Sequence, residues 1–477
     1  MQDTLCPPSR LPALRIDAQG RRRVDLRAIV HLAWPLFLNT GVQAVLNLTD
    51  TWFLGRISVD ALAAIGTIFF LVLVFVLFLG GVGQGVQTLV AQAFGAGQRT
   101  RAAADTWAGL YASVCTAPAF LLVAVLGHWI LVPFKLDPAV QALAEEYWFP
   151  RVLGGWTAVA VWCMSGFFNG VGRTRITLVA AVVIAVTNAG LNQLLMFELG
   201  WGVAGAAWAT NIAQLVGLML LVGIFLAPDL RREFESHRLW RPPLRAIWQV
   251  FLLGIPMGAA ATADLAGFTM FQLMLSRYGA VEAAASQIVM MLTTVSFMPA
   301  IGIALAGTTL VGQSIGAKDR DWAATLGNRV ILLCTIYMGM VGGVLALLGS
   351  HAVRPFATGD GNVEQVTTLG AHLLWIAALY QVFDAINLGC AFCLRGAGDV
   401  KFPAAMLLVL SWFGFVPLTH MLTFAPGEGL VDFLPQFGLG ATGSWIAAVV
   451  YICLLGLSLW ARWQSGRWRH ITLAGTH

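Results

Sequence analysis

The chain has 477 residues, 58% of them hydrophobic and only 11% charged, with a mean hydropathy of +0.78. Soluble domains carry about 25% charged residues, so the composition excludes a soluble globular protein and indicates a polytopic membrane protein whose main partner is the lipid bilayer. The net charge of +5 has meaning only through its distribution along the chain, and no nucleic-acid partner is expected.

Residues 1–29 contain Pro7, Pro8 and the run Arg21-Arg22-Arg23 but no apolar core, so they read as a cytoplasmic segment rather than a cleaved signal peptide. Behind them come twelve apolar segments, each near or above the ~20 residues that a spanning helix needs. They cover about 30–54, 61–93, 105–132, 142–170, 176–198 and 202–227, then 245–276, 282–314, 324–349, 366–393, 403–424 and 440–462. A basic loop with Pro242-Pro243, residues 228–244, separates an N-lobe (30–227) from a C-lobe (245–465), and 466–477 form a tail. Several segments exceed 25 residues, which predicts tilted spans or helices that project past the hydrocarbon. Gly81, Gly83 and Gly85 interrupt the second span, where they suit close helix packing.

Three carboxylates fall inside these spans: Asp50, Asp264 and Asp384. An ionised Asp at the bilayer centre costs about 2.5–3.5 kcal/mol on insertion scales. Three such groups point to a cation or proton site on a transport route. Asp50 lies late in its span, where the competing reading is a solvated helix end. Tyr380 and Asp384 are four residues apart, so they share one helix face. Pro256, Gly258 and Gly267 flank Asp264 and loosen its backbone, which frees carbonyl oxygen. Carboxylates, a Tyr hydroxyl, an Asn amide and free carbonyls are the oxygen donors that a hard monovalent cation takes. A proton needs only a carboxylate, so the residues leave Na⁺ and H⁺ both open.

Of the 28 Lys and Arg, 23 fall on one side of the predicted spans; only Arg56, Lys135, Arg151, Arg277 and Arg354 fall on the other. The positive-inside rule then puts both termini in the cytoplasm. The two halves also repeat. Thr88–Ala96 (TLVAQAFGA) matches Thr309–Ala317 (TLVGQSIGA) at six of nine positions, at an offset of 221. Gly170-Val-Gly172 likewise mirrors Gly396-Ala-Gly398. Both copies of the longer motif fall at the cytoplasmic end of the second span of their half. The repeats are therefore parallel, and the fold class is all-α: twelve transmembrane helices in two six-helix bundles.

The seven cysteines are odd in number and lie mostly in apolar runs, which argues against a disulfide framework; Cys390 and Cys393 have redox spacing but read as buried thiols. His372 and His420 lack a second ligand at helical spacing. No HExxH, GxSxG or phosphate-loop pattern occurs, so neither an enzyme nor an ATP-driven pump is indicated, and no cofactor is expected. An apolar, aromatic and Met-rich wall suits chemically diverse ligands. Trp52 and Phe53 in the first span and Met290, Met291, Phe297 and Met298 in the eighth supply one.

Residues 28–465 resemble the multidrug and toxic compound extrusion (MATE) family, nearest its NorM branch. The likeness rests on Trp34-Pro35 with Thr49-Asp50-Thr51, Gly254-Ile-Pro256 with Asp264, Asn188-Ala-Gly-Leu-Asn192, Leu379-Tyr380-Gln381-Val-Phe-Asp384 and Leu394-Arg395-Gly396-Ala-Gly398-Asp399. The resemblance implies a V-shaped pair of bundles in the inner membrane, monomeric, exporting organic and often cationic compounds in exchange for H⁺ or Na⁺. It implies a C-lobe cation site at Asp264, Tyr380 and Asp384, which would hold Na⁺ or a proton, and an N-lobe site at Asp50, Asn188 and Asn192. It also makes Gln287 a substrate-contact candidate beside Met290, Met291, Phe297 and Trp52. Two departures stand out. Asp264 occupies a place that is generally Glu in the branch, and Ser286-Gln287 replaces a His-Gln pair. Two rival functions are a flippase for a lipid-linked sugar within the same superfold and a cation channel. The flippase would need a basic cavity, whereas the intramembrane charges here are acidic.

Overall fold

The computed structural model describes residues 11–357, 362–431, 433–471 and 473. Cys6, Pro7, Pro8 and Arg10, and most of the tail beyond His470, lie outside the described residues.

Among the described residues, twelve helices are long and apolar enough to cross a membrane. In chain order they are α1 (Leu26–Gly55), α2 (Val59–Gly95), α3 (Arg99–Val125), α4 (Pro138–Gly170), α5 (Thr174–Glu198), α6 (Gly202–Phe225), α7 (Leu244–Tyr278), α8 (Ala280–Gly316), α9 (Arg320–Leu348), α10 (Val363–Gly396), α11 (Lys401–Thr423) and α12 (Gly440–Gln464). Helix is the form that satisfies every backbone polar group inside one apolar segment. Some helices start at side-chain caps that hydropathy does not register: Ser58 Oγ accepts from the Ala61 N–H at 3.0 Å, and Asp319 Oδ1 from the Trp322 N–H at 2.9 Å. For that reason α2 begins at Val59 and α9 at Arg320, before their apolar stretches.

Two hydrophobic cores form. One gathers Phe120, Trp148, Phe167, Phe168 and Phe225 from α3 to α6; the other gathers Phe271, Phe415, Trp445 and Tyr451 from α7, α11 and α12. The bundles meet where α2 packs on α7, α1 on α8 and α2 on α8. Glycines sit in all three contacts. A Cβ at Gly81 would collide with the Gly254 carbonyl, and one at Gly302 would lie 2.8 Å from the Phe37 nitrogen. Gly81 and Gly302 are themselves 221 apart, so the sequence repeat is a spatial one. The reversing turns after α2 and α8 repeat too: Gly97 and Lys318 both adopt positive φ, +74° and +63°. Lysine meets at 318 a backbone that glycine adopts freely at 97.

Ahead of α1, a hairpin pairs β1 (Leu14–Ile16) with β2 (Arg22–Val24). It docks on α9 through Arg22–Asp319 at 2.7 Å and a hydrogen bond from Trp322 Nε1 to the Pro12 carbonyl at 3.0 Å. Composition predicted no strands there. A short helix, Pro228–Phe234, carries the inter-lobe loop and seats Phe234 against Phe94 and Phe167.

Candidate functional site

In the C-terminal bundle, α7 brings Asp264 and α10 brings Asp384 into coulombic range of each other and of Tyr380. Asp384 is buried. Asp264 Oδ1 accepts a hydrogen bond from the Tyr451 hydroxyl on α12 at 3.1 Å, and Asp384 Oδ1 accepts one from Asn387 Nδ2 at 3.3 Å. Aromatic rings wall this pair. Phe415 stacks on Tyr451 with centroids 4.9 Å apart and on Phe271 at 5.7 Å, while Trp445 meets Tyr380 edge-on at 6.4 Å. Phe415 closes a π-helical turn, Leu410–Phe415, in α11. Such a turn shifts the register of the side chains that follow it and often marks a functional site.

The N-terminal bundle holds a second carboxylate centre. Asn192 Nδ2 donates to Asp50 Oδ1 at 2.6 Å and to Asn188 Oδ1 at 3.2 Å, and Asn188 Nδ2 donates to Thr210 Oγ1 at 3.2 Å. Both asparagines are fully buried, so Asp50 is tethered to the bundle interior rather than loose at a helix end. Asn192 Oδ1 is buried without a hydrogen-bond partner, a free neutral oxygen beside a carboxylate. Arg151 lies within electrostatic reach of Asp50 as a countercharge. A π-helical turn, Gln193–Glu198, follows Asn192.

Sequence reasoning thus named the acids but missed Tyr451, Asn387, Thr210 and Arg151. Asn387 and Arg151 carried a weak signal as polar residues inside apolar spans. Tyr451 carried none, because one tyrosine among the apolar positions of α12 does not announce a partner on α7.

The substrate-contact candidates divide. Gln287 and Met290 join Gln272 of α7: Gln272 Nε2 donates to Gln287 Oε1 at 3.1 Å and also reaches the Met290 sulfur. Met291 is exposed, while Phe297 is half-buried against the C-terminal core. Trp52 is exposed, with the Arg56 guanidinium 5.0 Å from its ring. Ser286 accepts from Trp445 Nε1 at 3.1 Å and so anchors the aromatic wall. His420 is structural, with Nε2 accepting from the N–H groups of Leu430 and Val431.

The repeated motifs meet between the bundles. Gln92 Nε2 donates to the Gly396 carbonyl at 3.0 Å, and Gln313 Nε2 donates to the Gly170 carbonyl at 2.8 Å. Thr88 Oγ1 donates to the Arg395 carbonyl at 3.1 Å, and Thr309 Oγ1 to the Asn169 carbonyl at 2.9 Å. These are two copies of one contact, related by a pseudo-two-fold axis. The buried Arg395 reinforces one copy, donating to Gln84 Oε1 at 2.9 Å. Together they latch the bundles at the basic end of the helices.

Residues 35–194 and 246–419 match the MatE family, one block in each bundle. The chain belongs to the MatE family. Among curated MatE relatives, a probable multidrug resistance protein NorM of Rhizobium meliloti (strain 1021) is 28% identical over 91% of this chain and 92% of its own length. The multidrug resistance protein NorM of Aliivibrio fischeri (strain ATCC 700601 / ES114) is 24% identical over 90% and 92%. Of solved structures, MATE in complex with MaL6 superposes with a TM-score of 0.81 at 18% identity, over 93% of this chain and 97% of that one. An outward-facing multidrug resistance MATE family transporter of the MOP superfamily gives 0.79 at 18% identity, over 93% and 96%. The MatE fold is shared with these proteins, and this chain is a multi-pass membrane transporter.

Proposed function

We propose that the chain is a secondary active multidrug efflux antiporter of the cytoplasmic (inner) membrane, with both termini cytoplasmic, exporting organic and often cationic compounds in exchange for H⁺ or Na⁺. The NorM relatives support the substrate class, and 23 basic residues against 5 support the orientation. The observation that carries the exchange reading is the pair Asp264 and Asp384, two carboxylates from different helices in one aromatic-walled interior.

Two like charges in a low-dielectric interior repel, and one entering cation between them relieves that repulsion. Loading the pair therefore changes how α7 and α10 pack, and it removes the negative charge that attracts a cationic drug. Ion and drug thus compete for the same charge, which is the condition for exchange rather than leak. The latch at the basic end keeps the route closed to the cytoplasm in this state; alternating access requires it to open while the opposite ends of the bundles close. Tyr451 and Asn387 donate to the carboxylates rather than offering them more oxygen, which favours H⁺ over Na⁺ as the coupling ion. A monomer suffices, since both sites lie within one chain.

The test is drug efflux from proteoliposomes under separately imposed gradients. Efflux is expected to follow the pH gradient with Na⁺ equal on both sides. Efflux that follows the Na⁺ gradient and ignores pH would reassign the ion, and unsaturable flux with no exchange would indicate a channel.

A further inference from the structure

A groove of about 470 Å³ lies where α1 meets the start of α5, at the basic end of the helices. Arg27, Val30, His31 and Trp34 line it from α1 at positions i, i+3, i+4 and i+7, a single helix face, and Arg175 lines it from the first turn of α5. Arg175 Nη2 donates to His31 Nε2 at 2.9 Å, which holds the guanidinium beside α1. Among the described residues no carboxylate lines the groove, so its positive charge is uncompensated by its own walls. Farther along the same face the lining turns apolar: Val30 is 54% and Trp34 57% exposed. From Arg27 to Trp34 the helix rises about 10 Å.

We propose that this groove seats an anionic phospholipid of the leaflet at the basic end. Its phosphate lies between Arg27 and Arg175, and the glycerol and first acyl carbons lie on Val30 and Trp34. The lining matches that ligand and no free anion: a guanidinium on each wall, Arg27 and Arg175, and then, one to two turns on from Arg27 along α1, the aliphatic Val30 and the amphipathic Trp34 indole. A guanidinium also pairs with phosphate oxygens two at a time. The same stretch of α1 packs on α8, where Gly302 meets Ala33 and Phe37, so the lipid would brace a seam between the bundles.

The test is native mass spectrometry of the full chain in neutral detergent. It is titrated with phosphatidylglycerol, with phosphatidylcholine of the same acyl chains, and with inorganic phosphate. Phosphatidylglycerol is expected to bind tightest. Arg27→Gln and Arg175→Gln should each weaken it about fivefold, the worth of one basic residue at an anionic surface. Trp34→Ala should weaken both lipids. Arg175→Lys, which keeps the charge, should retain most of the binding if Arg175→Gln proves unstable. Arg320→Gln with Arg467→Gln, two exposed basic residues elsewhere on the same side, should change nothing. The proposal falls if the double variant of Arg27 and Arg175 binds phosphatidylglycerol like wild type, or if the control pair weakens it equally. It also falls if inorganic phosphate binds as tightly as the lipid.

Discussion

At the scale of single residues, the proposed C-terminal site depends on contacts between helices far apart in sequence. Asp264 and Tyr451 are separated by 187 positions and joined by one hydrogen bond. A hydrogen bond to a charged group is worth about 1.5–3 kcal/mol. Tyr451→Phe removes it and leaves the ring stacked on Phe415. Melting behaviour should therefore stay close to wild type, while ion-driven efflux falls by about tenfold or more, as a loss of 1.4 kcal/mol or more implies. Wild-type efflux in this variant, at matched membrane expression, would remove Tyr451 from the site. The three acids were legible because an ionisable residue in an apolar span has few bland explanations. Their partners were not legible, because which side chains face an acid depends on helix rotation, tilt and the two π-helical turns. Hydropathy reports none of these. Asp50 shows the gap: its place late in a span left a solvated end open, and only the buried Asn188–Asn192 pair ties it inward.

At the scale of elements, the repeat was visible as letters and its work was not. Thr88, Gln92, Thr309 and Gln313 are among the identical positions of the two motifs; the glutamines donate to the Gly396 and Gly170 carbonyls and the threonines to those of Arg395 and Asn169. The glycines at Gly95 and Gly316 make the latch possible, since a Cβ at either would strike the carbonyl of Gln313 or Gln92. Gln92→Ala and Gln313→Ala each leave one buried carbonyl unpaired, at a cost of about 1–3 kcal/mol to the closed arrangement. The pseudo-two-fold relation predicts effects of similar size. Spin labels at Ala96→Cys and Ala317→Cys, read by pulsed dipolar distances, should shift toward longer separations in both variants. A shift in only one would show that the two copies are not equivalent in function. Helix ends were the least legible feature: α3 starts at Arg99 because a turn at Gly97 and polar first-turn residues precede the apolar stretch. The β1–β2 hairpin rests on turn and ion-pair geometry in a short polar segment that hydropathy leaves blank.

For the whole molecule, the architecture was the most legible part. Twelve apolar stretches, one basic side and a parallel sequence repeat suffice for two parallel bundles, and the MatE match and structural superpositions agree. Transport energetics then connects the bundles to the acids. Moving a monovalent cation outward against an inside-negative potential costs about 2.3 kcal/mol per 100 mV, and an entering proton or Na⁺ recovers the same electrical term. One-for-one exchange is therefore electrically neutral and runs on the ion's chemical gradient. That scheme requires the carboxylates to be the element that ion and drug share. Asp264→Asn and Asp384→Asn keep side-chain size and remove the charge. The most direct measurement is gradient-driven efflux of a cationic drug by each variant in proteoliposomes, at equal protein content and confirmed folding. Coupled efflux should be abolished in both; efflux at the wild-type rate in both would contradict the account.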